Sequence, residues 1–160
     1  MAEVQRQVDG VLPLPSRVPD DPRHLAANRL HSMAIHLLRT ARVGDAALGI
    51  TPERLSVLSV LVYGGPALLG ALAKIEQVTP PAITRHVDAL ERDGLARREA
   101  VDGDRRAIRV RATPAGRRLV ERGRRDRIRA VAAVLADFDQ QTIEEVDRLS
   151  GRLLAKLTAR

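Results

Sequence analysis

The stretch from Thr79 to Arg111, TPPAITRHVDALERDGLARREAVDGDRRAIRVR, holds the residues whose types and spacing could do chemistry. Arginine guanidiniums bind phosphates and guanine edges through paired N–H donors. Here Asp104, Arg105 and Arg106 follow an Asp102-Gly103 tight turn, and Arg98 lies on the strand leading into it. Upstream, Pro81, Thr84, Arg85 and Asp88 share one side of a helical wheel, opposite the apolar stripe of Ile83, Val87 and Leu90. Thr79 caps that helix, and His86 lies at the edge of the stripe. A helix followed by an arginine-rich ribbon is a shape suited to gripping duplex DNA. Each residue also has a plainer reading. Exposed charge usually marks a solvated helix face, and charge on an edge strand keeps it soluble. The second reading accounts for Arg109 and Arg111 better than for Asp104 and Arg106 at a turn. Arg98 is open between a phosphate contact and a pairing within the wing.

Charge points the same way. The 160-residue chain carries a formal net charge of +7, and its pI of about 11.2 favours polyanionic partners. Between Arg97 and Arg129 there are 13 arginines against 5 acidic residues, so the whole excess lies there. The run Arg117, Arg118, Arg122, Arg124 and Arg125 reads as a solvated face or a surface for acidic partners rather than base readout. Tyr63 and Phe138 are the only aromatic residues, which argues against stacking on single strands. The absence of cysteine removes disulfides, thiol sensing and cysteine-ligated zinc. No glycine-rich phosphate loop occurs, and no histidine is placed with a serine and a carboxylate, so an enzyme is not expected. His24, His31 and His36 are spaced by seven and five, not the i, i+4 of a chelating helix. They read as partly buried or interface histidines, and no metal is expected. No run approaches the length of a membrane span. With no signal-peptide core at the N-terminus, a cytoplasmic protein is the default.

Residues 1 to 21, with Pro13, Pro15 and Pro19, are expected to form a flexible arm. Residues 22–43 have the spacing of an amphipathic helix that includes Leu30 and Leu37. Three later helices share a start signal, Thr51-Pro52, Thr79-Pro80 and Thr113-Pro114, in which threonine caps and proline occupies the first turn. A short helix from about Leu69 to Glu76, with Leu72 and Ile75 pointing inward, turns tightly into the Thr79 helix. Gly94 ends that helix, and Leu95 packs back on it. In the hairpin, Ile108, Val110 and Ala112 form an apolar face against Arg109 and Arg111. Two terminal helices follow, the last with Ile143, Val146, Leu149, Leu153 and Leu157 at spacings of three and four. Their aliphatic stripes exceed what a small winged domain can cover. Packing against each other and against a second copy is expected.

The ordered set of Leu72-Ala73, TPPAITRHVDALERDGLARR, Asp104-Arg105-Arg106 and Thr113-Pro114-Ala115-Gly116 resembles MarR-type winged helix-turn-helix regulators, from about Pro22 to the C-terminus. The resemblance implies a mainly α fold with a small β-hairpin wing (α+β). A winged helix-turn-helix lobe at about 51–113 would lie between dimerisation helices at about 22–43 and 114–158, in one domain over 22–160. It implies that Thr84 and Arg85 face DNA, that Asp104 orients a wing arginine, and that Arg106 approaches the minor groove. It further implies an obligate homodimer reading a pseudo-palindromic operator, more often as a repressor. A small aromatic or phenolic effector would sit between the dimerisation helices and the lobe, with no other cofactor. The alternative is a winged-helix protein–protein interaction module without sequence reading. Two positions depart from the family pattern: Glu76-Gln77 stands where Leu-Gly is frequent, and Ala112 where leucine is usual.

Overall fold

The computed structural model describes residues 12–42, 44–101 and 104–159, with side chains undescribed over 101–107. In chain order the elements are α1 (Pro22–Arg42), a 3-10 turn (Asp45–Leu48), α2 (Pro52–Tyr63), β1 (Ala67–Leu68), α3 (Leu69–Ile75), α4 (Pro80–Arg92), β2 (Ala96–Val101), β3 (Asp104–Ala112), α5 (Pro114–Val134) and α6 (Gln140–Thr158). The expected mainly helical architecture with a small wing is present. One strand was not anticipated. Ala67-Leu68 pairs antiparallel with Val110 and Arg109, making a three-stranded sheet of order β1-β3-β2.

The core lies where α2, α3, α4 and the sheet meet. Leu58, Leu61, Leu72, Ile83, Val87, Leu90 and Val110 are its largest fully enclosed apolar side chains, together with Val57. Each contributes about 1.5–3 kcal/mol by leaving water. The α5 helix docks onto this core through Gly116, Val120 and Gly123, all buried. A Cβ on Gly116 would collide with the Leu95 carbonyl oxygen, so only glycine lets the helix approach that closely. Two inward assignments are corrected. Ile75 is 55% exposed and Ala73 is buried in its place, because α3 is under two turns long and ends at Ile75 itself. Ile108 is also exposed, since the wing has already left the lobe at that register.

The three threonine-proline starts diverge. Thr51 Oγ1 accepts from Arg54 N–H at 3.4 Å, and Thr113 Oγ1 accepts from Gly116 N–H at 3.1 Å. Thr79 is in the same extended conformation yet accepts nothing. Pro80 and Pro81 remove the first two donors, and Ala82 N–H is taken by the Thr79 carbonyl at 3.0 Å. The cap has no donor left to receive.

Helix ends set the turns. At the close of α4, Gly94 at φ 69° lets Leu95 N–H reach Leu90 O at 2.8 Å and Gly94 N–H reach Glu91 O at 3.0 Å. The same double bond closes α3, where Val78 N–H reaches Ala73 O at 3.0 Å and Gln77 N–H reaches Lys74 O at 3.3 Å. There the left-handed position is held by Gln77 at φ 54°. The backbone of the turn therefore follows the path a glycine would take, at a cost of about 1–2 kcal/mol.

The terminal helices differ in kind. α1 packs against α5 and the 3-10 turn, but Leu25, Leu30, Met33 and Leu38 remain exposed. Against the expectation that the last two helices pack on each other, α6 does not lie along α5, and none of its residues is buried. Before α1, Leu12 N–H donates to Ser32 Oγ at 3.1 Å, and its carbonyl accepts from Asn28 Nδ2 at 2.6 Å. His24 is half-buried and pairs with Asp21 at 2.8 Å, whereas His31 and His36 are exposed on α1.

Candidate nucleic-acid interface

α4 is an anchored helix with one face left open. Ile83, Val87 and Leu90 fix it to the core, while Pro81, Thr84, Arg85 and Asp88 are exposed on the opposite side. Thr79 is exposed at its start, with its hydroxyl uncommitted. The Thr84 hydroxyl donates to Pro80 O at 2.9 Å, leaving its oxygen lone pairs outward. Arg85 has no ion-pair partner among the described residues, so no described carboxylate competes for its guanidinium. With Pro80 and Pro81 in place, the helix start offers few backbone N–H groups to an anion. Any contact of α4 with a polyanion would therefore fall to side chains.

His86 is half-buried and faces α2. It helps hold the Glu53 carboxyl below its ordinary range, after the Glu53 backbone N–H and the Thr51 hydroxyl. Arg54 at the start of α2 reaches Asp93 at the end of α4 at 3.2 Å, a pairing with no sequence signal.

Arg98 turns inward toward α4. Its guanidinium meets Glu91 Oε2 and Asp88 Oδ1, both at 2.6 Å. Its backbone N–H donates to Glu91 Oε1 at 3.0 Å. Burial pulls the guanidinium pKa down, but the bonds to Asp88 and Glu91 outweigh it, and the pKa is raised. Asp88, on the outward side of α4, and Arg98, left open between a phosphate contact and a pairing within the wing, thus engage each other across the two elements. Glu91 is the partner the sequence reading missed; its only signal was its i, i+3 spacing from Asp88 on the wheel.

On the outer face of the wing, Arg97 stands directly across from Arg111. Opposed like charges repel, and Glu99 resolves this by bridging Arg97 at 2.8 Å and Arg111 at 3.1 Å. The hydrogen bond from Arg111 is the main reason that Glu99 titrates below its ordinary range. Arg109 lies opposite Glu99 in register yet has no ion-pair partner among the described residues. Asp104, Arg105 and Arg106 begin β3, and their side chains lie outside the described residues.

A helix pair joined by a tight turn, a second helix exposing arginine, and a hairpin braced against its end define a winged helix-turn-helix protein. The model of the MarR family matches residues 48–107. A helix-turn-helix transcriptional regulator of Mycobacterium leprae is 33% identical over 101 residues, covering 63% of this chain and 71% of that one. One from Bacillus subtilis is 30% identical over 97 residues, covering 61% of this chain; the match spans 59% of that relative's length. Among solved structures, a MarR family protein from Bacillus stearothermophilus superposes with a TM-score of 0.73 at 27% identity, over 88% of this chain and 99% of that one. The chain belongs to the MarR family of transcriptional regulators.

Proposed function

We propose that the protein is a homodimeric regulator that reads duplex DNA with α4 and grips the flanking backbone with the wing. The observation that carries this is the open face of α4: Pro81, Thr84 and an unpaired Arg85 on a helix pinned by three buried aliphatic side chains. A bidentate arginine–guanine pair discriminates between bases by about 1–3 kcal/mol. Arg105 and Arg106 at the wing are the candidates for the narrow minor groove. Such a protein works where the chromosome is, in the cytoplasm.

The dimer is supported by the terminal helices. Val146, Leu149, Leu153 and Leu157 form an exposed stripe on α6, and Leu30 and Met33 are exposed on α1, with Leu37 half-buried beside them. A monomer rarely leaves apolar stripes of this kind in water. A second copy related by a two-fold axis covers them, and sets two α4 helices about 34 Å apart on a pseudo-palindrome. Bound there, the dimer represses by covering promoter DNA. The cleft between α1 and the lobe, about 310 Å³ and bordered by Leu38, Arg42, Asp45, Ser56, Ser59 and Arg127, suits a single-ring aromatic or phenolic acid. An effector that binds better to the non-operator spacing of the lobes would weaken DNA affinity. The open guanidinium of Arg85 favours DNA reading over a winged-helix module that binds only protein.

The test is selection from a random duplex pool followed by salt titration. Affinity is expected to fall linearly on a log–log plot with a slope of about −0.9 per phosphate contact. Arg85→Ala should relax the selected sequence at one position in each half-site. Failure of the wild type to bind any duplex at low salt would overturn the reading.

A further inference from the structure

Strand alternation gives Arg98 an unusual place. Ala96, Arg98 and Ala100 share one face of β2, and Ala96 and the cross-strand neighbour Val110 are buried in the core. Arg98 is thus a cation on the lobe-facing side of the wing. Its side chain is only 24% exposed. β2 is also an edge strand, and the Arg98 N–H that points away from β3 is taken up by Glu91. Asp88 and Glu91 lie one helical turn apart on α4, so a single planar guanidinium engages both. Toward the tip, the register becomes irregular between Ala100 and Val101, and Ile108 is exposed. Among the described residues, Arg98 is the outermost side-chain tie between wing and recognition helix. The other described wing ion pairs, through Glu99, stay within the sheet.

We infer that Arg98 is a positioning residue that locks the wing to α4 through Asp88 and Glu91, and that it makes no phosphate contact of its own. The inference deepens the DNA-reading proposal above and rests on it for its consequence in binding. The lock does two things. It fixes the distance between the helix that reads bases and the ribbon that grips the backbone. It also cancels the Asp88 carboxylate, which sits one turn from Arg85 and would otherwise repel phosphate. An error of about 1 Å between two rigid contact elements is enough to lose one of them. Asp88 is accordingly a brace acceptor and not a base reader.

Two measurements test it, one without DNA. Amide hydrogen exchange should quicken about tenfold in β2 and at the end of α4 in Arg98→Gln, with the circular dichroism melt confirming that the lobe is folded. Binding to the duplex pool selected by the wild type should weaken about three- to tenfold. Arg98→Lys keeps the charge but cannot fork to both carboxylates, so it should leave most of both defects. The sharpest variant is Asp88→Asn with Glu91→Gln. It makes the surface more positive, so simple electrostatics predicts tighter binding, whereas loss of the brace predicts faster exchange and weaker binding. Adding Arg98→Gln to that pair should then cost nothing further. Unchanged exchange in Arg98→Gln, full rescue by lysine, or tighter binding by the Asp88/Glu91 pair would each overturn the inference. So would a salt slope reduced by about one in Arg98→Gln with exchange unaltered, since that marks a phosphate contact. If the wild type binds no duplex, the DNA reading falls, while the exchange data still decide whether the lock exists.

Discussion

The lobe built from α2 to β3 and the terminal helices α1, α5 and α6 are both rich in aliphatic residues, and they use them in opposite ways. In the lobe, Leu58, Leu72, Val87, Leu90 and Val110 have no exposed surface at all. In α6, Leu149 is 53% and Leu157 is 70% exposed, on a helix with a comparable apolar stripe. The difference lies in closure. Three short helices and a sheet surround a common centre and can bury one another. A long helix leaving the lobe has no described element packed along it. The lobe is a completed core, to which α5 adds Val120, whereas α6 leaves its apolar stripe in the open. Stability thus resides in the lobe, while in the proposed dimer the terminal helices would set the spacing between lobes.

This contrast is open to attack at three strengths. The largest effect is expected from paired Leu149→Glu and Leu153→Glu. Across a two-fold interface these remove on the order of 6 kcal/mol of apolar burial and add buried charge. Sedimentation should show monomers whose lobe still melts cooperatively. A dimer that survives both changes would mean that α6 is not the interface. Next comes Leu90→Ala, which should destabilise the lobe by about 3 kcal/mol, measured by denaturant unfolding, because α4 cannot collapse into the space left. Its effect should be the same in the monomeric variant. The smallest effect has the opposite sign. Gln77→Gly should stabilise by about 1 kcal/mol, read as a rise in melting temperature, by relieving the left-handed backbone in the turn before α4. A loss of stability there would show that the Gln77 side chain makes a compensating contact.

Gln77 also shows where family pattern and chemistry part. The sequence lacks the usual glycine in that turn, yet the two hydrogen bonds from Gln77 and Val78 close it in the same way. Packing of Leu72 and Ala73 on one side and Ile83 on the other holds a strained residue in place. Conversely, the Thr79-Pro80-Pro81 start reads like its two sister signals but makes no cap, because the prolines remove two donors and the Ala82 N–H bonds the Thr79 carbonyl instead of its hydroxyl. Local rules are reliable only once every donor has been counted.

Several features were legible in the sequence alone. The apolar period of Ile83, Val87 and Leu90 determined which side of α4 is buried, and so left Pro81, Thr84 and Arg85 outward. The glycine at 94 determined the helix stop, and the clustering of arginine between 97 and 129 determined where the positive charge lies. These are short-range properties, set by backbone geometry and composition within a few residues. Only the tertiary structure decided what Arg98 does, because its partners come from another element and depend on strand register and face. It likewise decided that β1 completes the sheet and that Ile75 and Ile108 stay outside. It decided that, among the described residues, α6 buries no side chain against another element. Each of these depends on how separate elements are placed around a shared core, and no local pattern encodes that placement.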